Sequence, residues 1–285
     1  MAELTPEWRP WLALLEATLD ALDDPAWTAA APEAPVPHRP PDAPLLHDAT
    51  LRVDPRRARR WVRRLIKAAA SSATPGADTL GRMRFRRLDP LALLEAAITY
   101  DPLVLDAIAT ETGADAAALG AVAQLAARPL LQACGRRLGG HVPAGWAHGY
   151  CPICGAWPVL AETRGIERAR RLRCARCGGD WAFPVLLCPF CGERDHRRQG
   201  SLVPEGEEDL RKVDTCRSCR GYVKTVTTLV PIPPPEVLVQ DLATLELDIA
   251  ALERGYARPE RPGYHLSVRL GDRAHPPVAP SGGGS

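Results

Sequence analysis

The chain has little excess charge of either sign. Its 285 residues hold 36 lysines and arginines against 34 aspartates and glutamates, a formal net charge of +2. That balance gives no global pull toward nucleic acid or acidic membrane surfaces. Aromatic residues are sparse at 5% of the sequence, which also counts against a nucleic-acid binder. Long apolar runs are missing, and none approaches the roughly 18 uncharged residues that a membrane span needs. The opening MAELTPEWRP has an early glutamate and no basic stretch leading into an apolar one. No secretory signal is therefore expected, nor membrane insertion, and the expected location is cytoplasmic. A GxxxxGK nucleotide loop is absent, and no nucleophilic triad can be argued for. The expectation is accordingly no catalytic residue and no enzyme. With 46% hydrophobic and 25% charged residues the composition is that of an ordinary folded protein, long enough for one large domain or two modest ones.

Cysteine is present and unevenly placed. Of nine, eight fall between Cys151 and Cys219, and Cys134 stands apart in an apolar helical stretch as a small core residue. In a reducing compartment, closely spaced thiols favour metal binding or catalysis over structural disulfides.

Before the cysteines the pattern is helical. In TPEWRPWLALLEATLDAL, Thr5 is a candidate cap and Pro6 a first helical residue. Trp8, Trp11, Leu12, Leu15, Leu19 and Leu22 follow one face. Residues 25–44 hold seven prolines and read as an extended connector. Asp-Pro starts recur at Asp54-Pro55, Asp89-Pro90 and Asp101-Pro102. After the first of them Trp61, Val62, Leu65 and Ile66 form an inner face. The arginines at 56, 57, 59, 60, 63 and 64 spread around the opposite side. A solvated face, or a surface for an acidic protein partner, suits these arginines better than a nucleic-acid patch. A further helix runs from Asp115, with Pro129 kinking or dividing it and Gly139-Gly140 ending it. Residues 1–140 thus read as a helical domain.

From Trp146 the texture changes. WPVLAETR, ARRLRC, DWAFPVLLC, DLRKVDTC and YVKTVTTLV lie between cysteine pairs and suit short β-hairpins. After PIPPP, residues 236–258 read as a C-terminal helix, with Asp241 as its cap and Leu242, Leu245, Ile249 and Leu252 on one face. Residues 259–285 read as a flexible tail whose final SGGGS need not be native. The fold class is therefore α+β in two parts, a helical domain followed by two tandem rubredoxin-like or zinc-ribbon β modules and a terminal helix. The modules are expected at 141–183 and 184–235.

Four pairs share one spacing: Cys151/Cys154, Cys174/Cys177, Cys188/Cys191 and Cys216/Cys219. Two intervening residues let both sulfurs point inward from one tight turn. A glycine after the second cysteine (Gly155, Gly178, Gly192) relaxes the backbone demand as the turn closes. Two such turns complete a tetrahedral S₄ site, so four turns make two. Four turns allow three pairings. The strand-like segment before each second turn favours sequential pairing, with Cys151, Cys154, Cys174 and Cys177 in one site and Cys188, Cys191, Cys216 and Cys219 in the other. Spacing leaves zinc and iron open. Eight thiolates remove eight charges and two divalent ions return four, which turns the formal +2 into −2. Arg168, Arg170, Arg171, Arg173, Arg176, Arg217 and Arg220 would partly neutralise the centres. Trp157, Trp181 and Phe183 would shield them from water. His148 and His196 lie near cysteine turns but are surplus to eight thiols.

GYCPICGAWPVLAE, RLRCARCGGDWAFPVLLCPFCGERDH, TCRSCRGYVKT and the later DLATLELDIA together resemble the formate dehydrogenase accessory proteins of the FdhE type, over roughly residues 145–260. The resemblance implies a cytoplasmic, non-enzymatic maturation factor with a helical N-terminal domain and two rubredoxin-like modules. It would be needed for active formate dehydrogenase and act on its catalytic subunit, with two iron ions as the metal; zinc stays open, as does homodimer formation. One irregularity is Arg220, where the other three turns have glycine; it could loosen or re-orient the fourth turn. The alternatives are a rubredoxin-like electron carrier and a zinc-ribbon nucleic-acid binder.

Overall fold

The computed structural model describes residues 9–72, 74–205 and 210–271, with side chains from residue 12 onward. The N-terminal half is helical: α1 (Arg9–Asp20), α2 (Pro25–Ala30), α3 (Pro55–Ala70), α4 (Ala77–Arg82), α5 (Pro90–Thr99), α6 (Pro102–Thr112) and α7 (Ala116–Leu138). Four of these start on proline behind an aspartate. The carboxylates of Asp24, Asp54, Asp89 and Asp101 accept from backbone N–H groups of the first turn. Proline's fixed φ and missing donor cost nothing there, and each cap is worth about 1 kcal/mol. Trp61, Val62, Leu65 and Ile66 face inward on α3, and the Trp61 indole donates to the Ala126 carbonyl of α7 at 2.9 Å.

Helix α7 is the axis of this half. Pro129 lies inside it, yet the helix runs unbroken from Ala116 to Leu138. Leu130, Leu131, Ala133, Cys134 and Leu138 are all fully buried. On α1 the inner face is rotated from the expected one. Leu14, Thr18 and Leu22 are the buried residues of this stretch, whereas Leu12, Leu15 and Leu19 are half-buried. The expected cap at Thr5, with Pro6 and Trp8, lies outside the described residues, as does the side chain of Trp11. The proline-rich segment 25–44 is not simply an extended connector. It begins with α2, and Trp27, Ala30, Ala31 and Ala43 are buried against the core.

A six-stranded sheet forms the C-terminal half, in the order β4 (Asp180–Ala182), β3 (Ala169–Arg173), β2 (Leu160–Arg164), β7 (Tyr222–Thr228), β6 (Arg211–Cys216), β5 (Gln199–Leu202). All neighbours are antiparallel except the central pair. There β2 and β7 run parallel, with Leu160 opposite Lys224 and Arg164 opposite Thr228. The two β modules are thus fused edge to edge into one sheet, which leaves neither with an open inner edge.

Two features of the C-terminal region correct the sequence reading. The expected single helix is two, α8 (Glu236–Ala243) and α9 (Leu245–Glu253), broken at Thr244 with φ −117° and ψ 34°. Asp241 lies inside α8 and does not cap it. The expected apolar face is also wrong: Leu242, Ile249 and Leu252 are exposed, while Val237, Leu247 and Ala251 are buried. A polar network fixes these helices instead. The fully buried Lys224 of β7 pairs with Asp241 at 2.8 Å and Asp248 at 2.7 Å, and Arg258 pairs with the same two carboxylates at 2.7 and 2.8 Å. The second correction concerns the tail. Residues up to Gly271 return to the helical half, where β8 (Val268–Leu270) pairs in parallel with β1 (Ala49–Leu51). The Leu270 N–H also donates to the Glu95 carboxylate at 2.7 Å. Residues 272–285, including SGGGS, lie outside the described residues.

Burial raises the Asp241 carboxyl pKa, but Arg258 and Lys224 outweigh it and hold the group below its ordinary value. A depressed carboxylate adds stability above its unfolded pKa and loses it as pH falls through the folded one. Lys224→Met, which leaves Arg258 as the one cation paired with both carboxylates, is expected to cost about 3 kcal/mol in urea unfolding at neutral pH. It should also flatten the loss of stability between about pH 5 and pH 3 relative to the parent protein.

Candidate metal centres

Each cysteine pair sits on the same short turn. The amide of the residue after the second cysteine donates back to the first cysteine's carbonyl: Gly155 to Cys151 at 2.9 Å, Gly178 to Cys174 at 3.0 Å, Gly192 to Cys188 at 3.0 Å. These glycines have φ of 74°, 75° and 74°. Arg220 takes the same left-handed conformation, φ 58°, at a cost of about 1 kcal/mol. The fourth turn keeps its shape, for the Cys216 amide still closes on the Gly221 carbonyl at 2.9 Å. The Arg220 side chain is anchored in turn. It donates to the carbonyls of Arg254 at 2.7 Å and Gly255 at 3.1 Å, and its guanidinium lies 4.3 Å from the Tyr256 ring centroid. The irregular residue thus ties the fourth turn to the end of α9.

The turns bring the sulfurs together in two groups: Cys151, Cys154, Cys174 and Cys177, and Cys188, Cys191, Cys216 and Cys219. Within each group all Sγ atoms lie within 4.8 Å of one another. Cys151 and Cys177 are 3.4 Å apart, Cys154 and Cys174 3.6 Å, Cys188 and Cys219 3.7 Å, Cys191 and Cys216 3.8 Å. Four sulfurs each about 2.3 Å from a central ion form a tetrahedron with edges of about 3.8 Å. Both groups therefore fit a thiophilic ion, and two tetra-cysteine sites able to hold metal are present; the donors suit zinc and iron alike. Neither His148 nor His196 joins a group. His148 stacks on Tyr150 at 4.9 Å, and His196 is solvent-exposed in a 3₁₀ turn.

The two groups sit in different surroundings. In the first, all four cysteines are at most 1% exposed and share the core of the helical half. Helix α7 passes so close that a Cβ on Gly135 would fall 1.8 Å from the Cys177 carbonyl oxygen, and within the second turn's own loop one on Gly179 would fall 2.7 Å from the Cys151 sulfur. The connector grips the first turn from the other side, with Leu45 and Leu46 amides donating to the carbonyls of Pro152 and Ile153 at 2.7 and 3.0 Å. Trp181 and Phe183 close the site, while Trp157 is half-buried and packs on Phe190 at 5.3 Å beside the second group. In the second group Cys188 and Cys216 are buried, but Cys191 and Cys219 are exposed.

The arginines divide by role. Arg176 is buried beside the first group, where it donates to the carbonyls of Ala97 and Ile98 at 2.5 and 3.2 Å and lies 3.9 Å from the Tyr100 ring centroid. Burial works against its charge, yet Tyr100 and the neighbouring Cys154, Cys174 and Cys177 outweigh that and raise its pKa. Arg173 is spent on the buried Glu162, and Arg170 on the carbonyls of Pro184 and Leu187. Among the thiols, burial pushes Cys151 and Cys177 well up, while hydrogen bonds from Cys151, Cys154 and Cys177 hold Cys174 well down. Cys134 lies outside both groups in the helical core, pushed up to about 12 by burial. Sequence reasoning missed Gly135, Arg128 and Glu162. Only a charge inside an otherwise strand-like run marked Glu162, and nothing marked the other two.

A helical domain that embeds one of two tetra-cysteine β modules defines the class of this molecule. Residues 187–262 match the family model described as FdhE, C-terminal domain. It is 31% identical over 120 residues to an FdhE homologue of Aquifex aeolicus, covering 41% of each chain. It is 35% identical over 114 residues to one from Pseudomonas aeruginosa, covering 38% of this chain and 37% of that one. Against FdhE of Escherichia coli it is 32% identical over 114 residues, covering 38% and 35%. These matches span about two fifths of the length of the curated relatives. The crystal structure of FdhE from Pseudomonas aeruginosa is similar in fold, with a TM-score of 0.56 at 22% identity over 88% of this chain and 85% of that one. The resemblance to the FdhE proteins thus holds in sequence over about two fifths of the chain, the family model matching residues 187–262, and in fold over most of it.

The difference in burial has a kinetic consequence, since a chelator reaches a ligand only when it is exposed or its surroundings open. In protein loaded with two zinc ions, a chromophoric chelator should strip the exposed second group at least on the order of tenfold faster than the buried first group. Cys191→Ser should abolish the fast phase and leave the slow one.

Proposed function

We propose that this chain is a non-enzymatic, metal-binding accessory factor needed for active formate dehydrogenase, acting in the cytoplasm on that enzyme's catalytic subunit. The observation that carries the reading is the conjunction of two convergent tetra-thiol groups with a match to the FdhE C-terminal domain over residues 187–262. In it Cys151, Cys154, Cys174 and Cys177 hold one ion, and Cys188, Cys191, Cys216 and Cys219 the other. The ion, iron or zinc, supplies a tetrahedral cross-link, which gives small β modules much of their folding energy. The protein's own residues do the rest. Gly135 lets α7 seat the first group, Arg176 offsets its charge, and the β2–β7 join fixes the second module at a set angle to the first. Such a fixed surface suits holding another protein in one conformation, and none of these groups is arranged as nucleophile, base and oxyanion donor.

One observation favours a second reading. The exposed Cys191 and Cys219 would put an iron ion near the surface, as an electron carrier needs. The sealed first group counts against a two-centre carrier. Metal analysis and a visible spectrum of anaerobically purified protein separate the two, because a colourless zinc protein active in maturation excludes the carrier.

Deleting the gene in its host should abolish formate dehydrogenase activity, and tagged protein should co-purify the catalytic subunit. Cys151→Ala should unfold the first module and remove complementation altogether. Untouched formate dehydrogenase activity in the deletion strain would end the accessory reading.

A further inference from the structure

On the helical half, remote from any use made above, a hollow of about 720 Å³ lies between α3 and the 3₁₀ turn Phe85–Arg87. Arg59, Arg63, Arg84, Arg86 and Arg87 wall it, with Met83 and Phe85 as its apolar part and no acidic residue in its lining. Among the described residues none of these five arginines forms an ion pair with a carboxylate, and all five are exposed. Helix α3 itself carries six arginines and Lys67 and no acidic residue. Concentrating that much like charge costs stability, so the cluster calls for an anionic partner.

The hollow is held in shape. The Arg84 amide donates to the Thr112 carbonyl at 2.8 Å and anchors the turn to α6. The Arg59 guanidinium donates to the carbonyls of Phe85 and Leu88 at 3.3 and 3.4 Å. Arg59 and Arg63 lie one helical turn apart and cover the Phe85 ring, at 5.1 and 5.6 Å from its centroid. The forks are therefore partly ordered before a ligand arrives, which lowers the entropy lost on binding.

We propose that this hollow is a docking site for an acidic polypeptide segment, one whose carboxylates are interspersed with apolar side chains. Guanidinium forks take carboxylates two hydrogen bonds at a time, and Met83 with the Phe85 edge offers apolar surface between them. A nucleic acid fits less well. Phe85 is already covered by two guanidinium groups, so it is no platform for a base, and such platforms carry much of single-strand binding. The protein as a whole has almost no positive excess to attract a long polyanion, its formal charge being +2. The site is separate from both cysteine groups, so its occupancy does not depend on the metal they hold.

The test uses the full chain with both sites loaded and a fluorescein-labelled peptide of glutamates with interspersed leucines. Controls are the same peptide with glutamine for glutamate, and an oligothymidylate of matching length. Anisotropy should report binding of the acidic peptide at about 50 mM salt that weakens roughly tenfold by about 200 mM. Arg63→Glu with Arg86→Glu should weaken it at least about tenfold, and the matching lysine pair by less, since lysine keeps charge but loses the fork. Arg197→Glu, at an exposed arginine on the far module, should leave it unchanged. No binding by the parent protein, equal binding of the glutamine peptide, tighter binding of the oligonucleotide, or indifference to the charge reversal would each overturn the proposal.

Discussion

The burial of four sulfurs beneath helix α7 is the constraint on which the rest of the structure depends. A tetra-thiolate centre around a divalent ion carries two negative charges, and placing it in a low-dielectric core is costly unless charge and donors come with it. Arg176 answers the charge. It is buried at the interface and anchored on backbone carbonyls at the end of α5, and Tyr100 lies under its guanidinium. Arg128 lies nearby on α7 and donates to the carbonyl of Ala175, between the second pair of cysteines. Its pKa falls to about 10, mainly through burial and then through repulsion from Arg176, the cost of placing two cations beside one centre. Gly135 answers the steric demand, because any larger residue would push α7 off the Cys177 turn. The helical half is thus built around the first module and is more than a neighbour of it.

The second module is held by a different kind of force. Two of its four cysteines, Cys191 and Cys219, are exposed, and what fixes it is polar: the Lys224–Asp241–Asp248–Arg258 network and the Arg220 anchor. A buried ion network is directional. Where the apolar core tolerates small rotations, two carboxylates shared between a lysine and an arginine hold α8 and α9 in one register on β7. This explains why Ile249 and Leu252 can face outward while Asp241 and Asp248 turn toward β7, beside the buried Val237, Leu247 and Ala251.

Much of this was legible in the sequence and some was not. The four cysteine turns could be read because their chemistry is local: two thiols, two intervening residues and a left-handed closing residue. The Asp-Pro helix starts could be read for the same reason. The fusion of β2 to β7 could not, since nothing local records which strand lies beside another some 60 residues away in the chain. β5 was missed because Gln-Gly-Ser-Leu has no β-branched or aromatic residue to mark it, and its partner β6 imposes its conformation. Periodicity failed on α8 and α9 because it assumes that burial follows hydrophobicity, whereas here ion pairing decides the face. It failed on α1 for a related reason. Thr18 can be buried because its hydroxyl donates to the Leu14 carbonyl at 2.7 Å, so a polar residue takes an inward position.

The join between the modules is itself centred on one side chain. Glu162 of β2 is fully buried, and its carboxylate accepts from Arg173 and Arg164 on its own module. It also accepts from the Thr228 hydroxyl at 3.1 Å and the Ile232 amide at 3.3 Å, at and beyond the end of β7. A buried carboxylate cannot easily lose any of these donors, since what remains would be an uncompensated charge. The two modules therefore resist moving independently at β2–β7, even though they differ in exposure and in the forces that hold them. Loosening of the shallow second group would be resisted at Glu162 before it reached the sealed first group. That is how one sheet can present an accessible tetra-cysteine group on one side while keeping the other as a fixed part of the helical core.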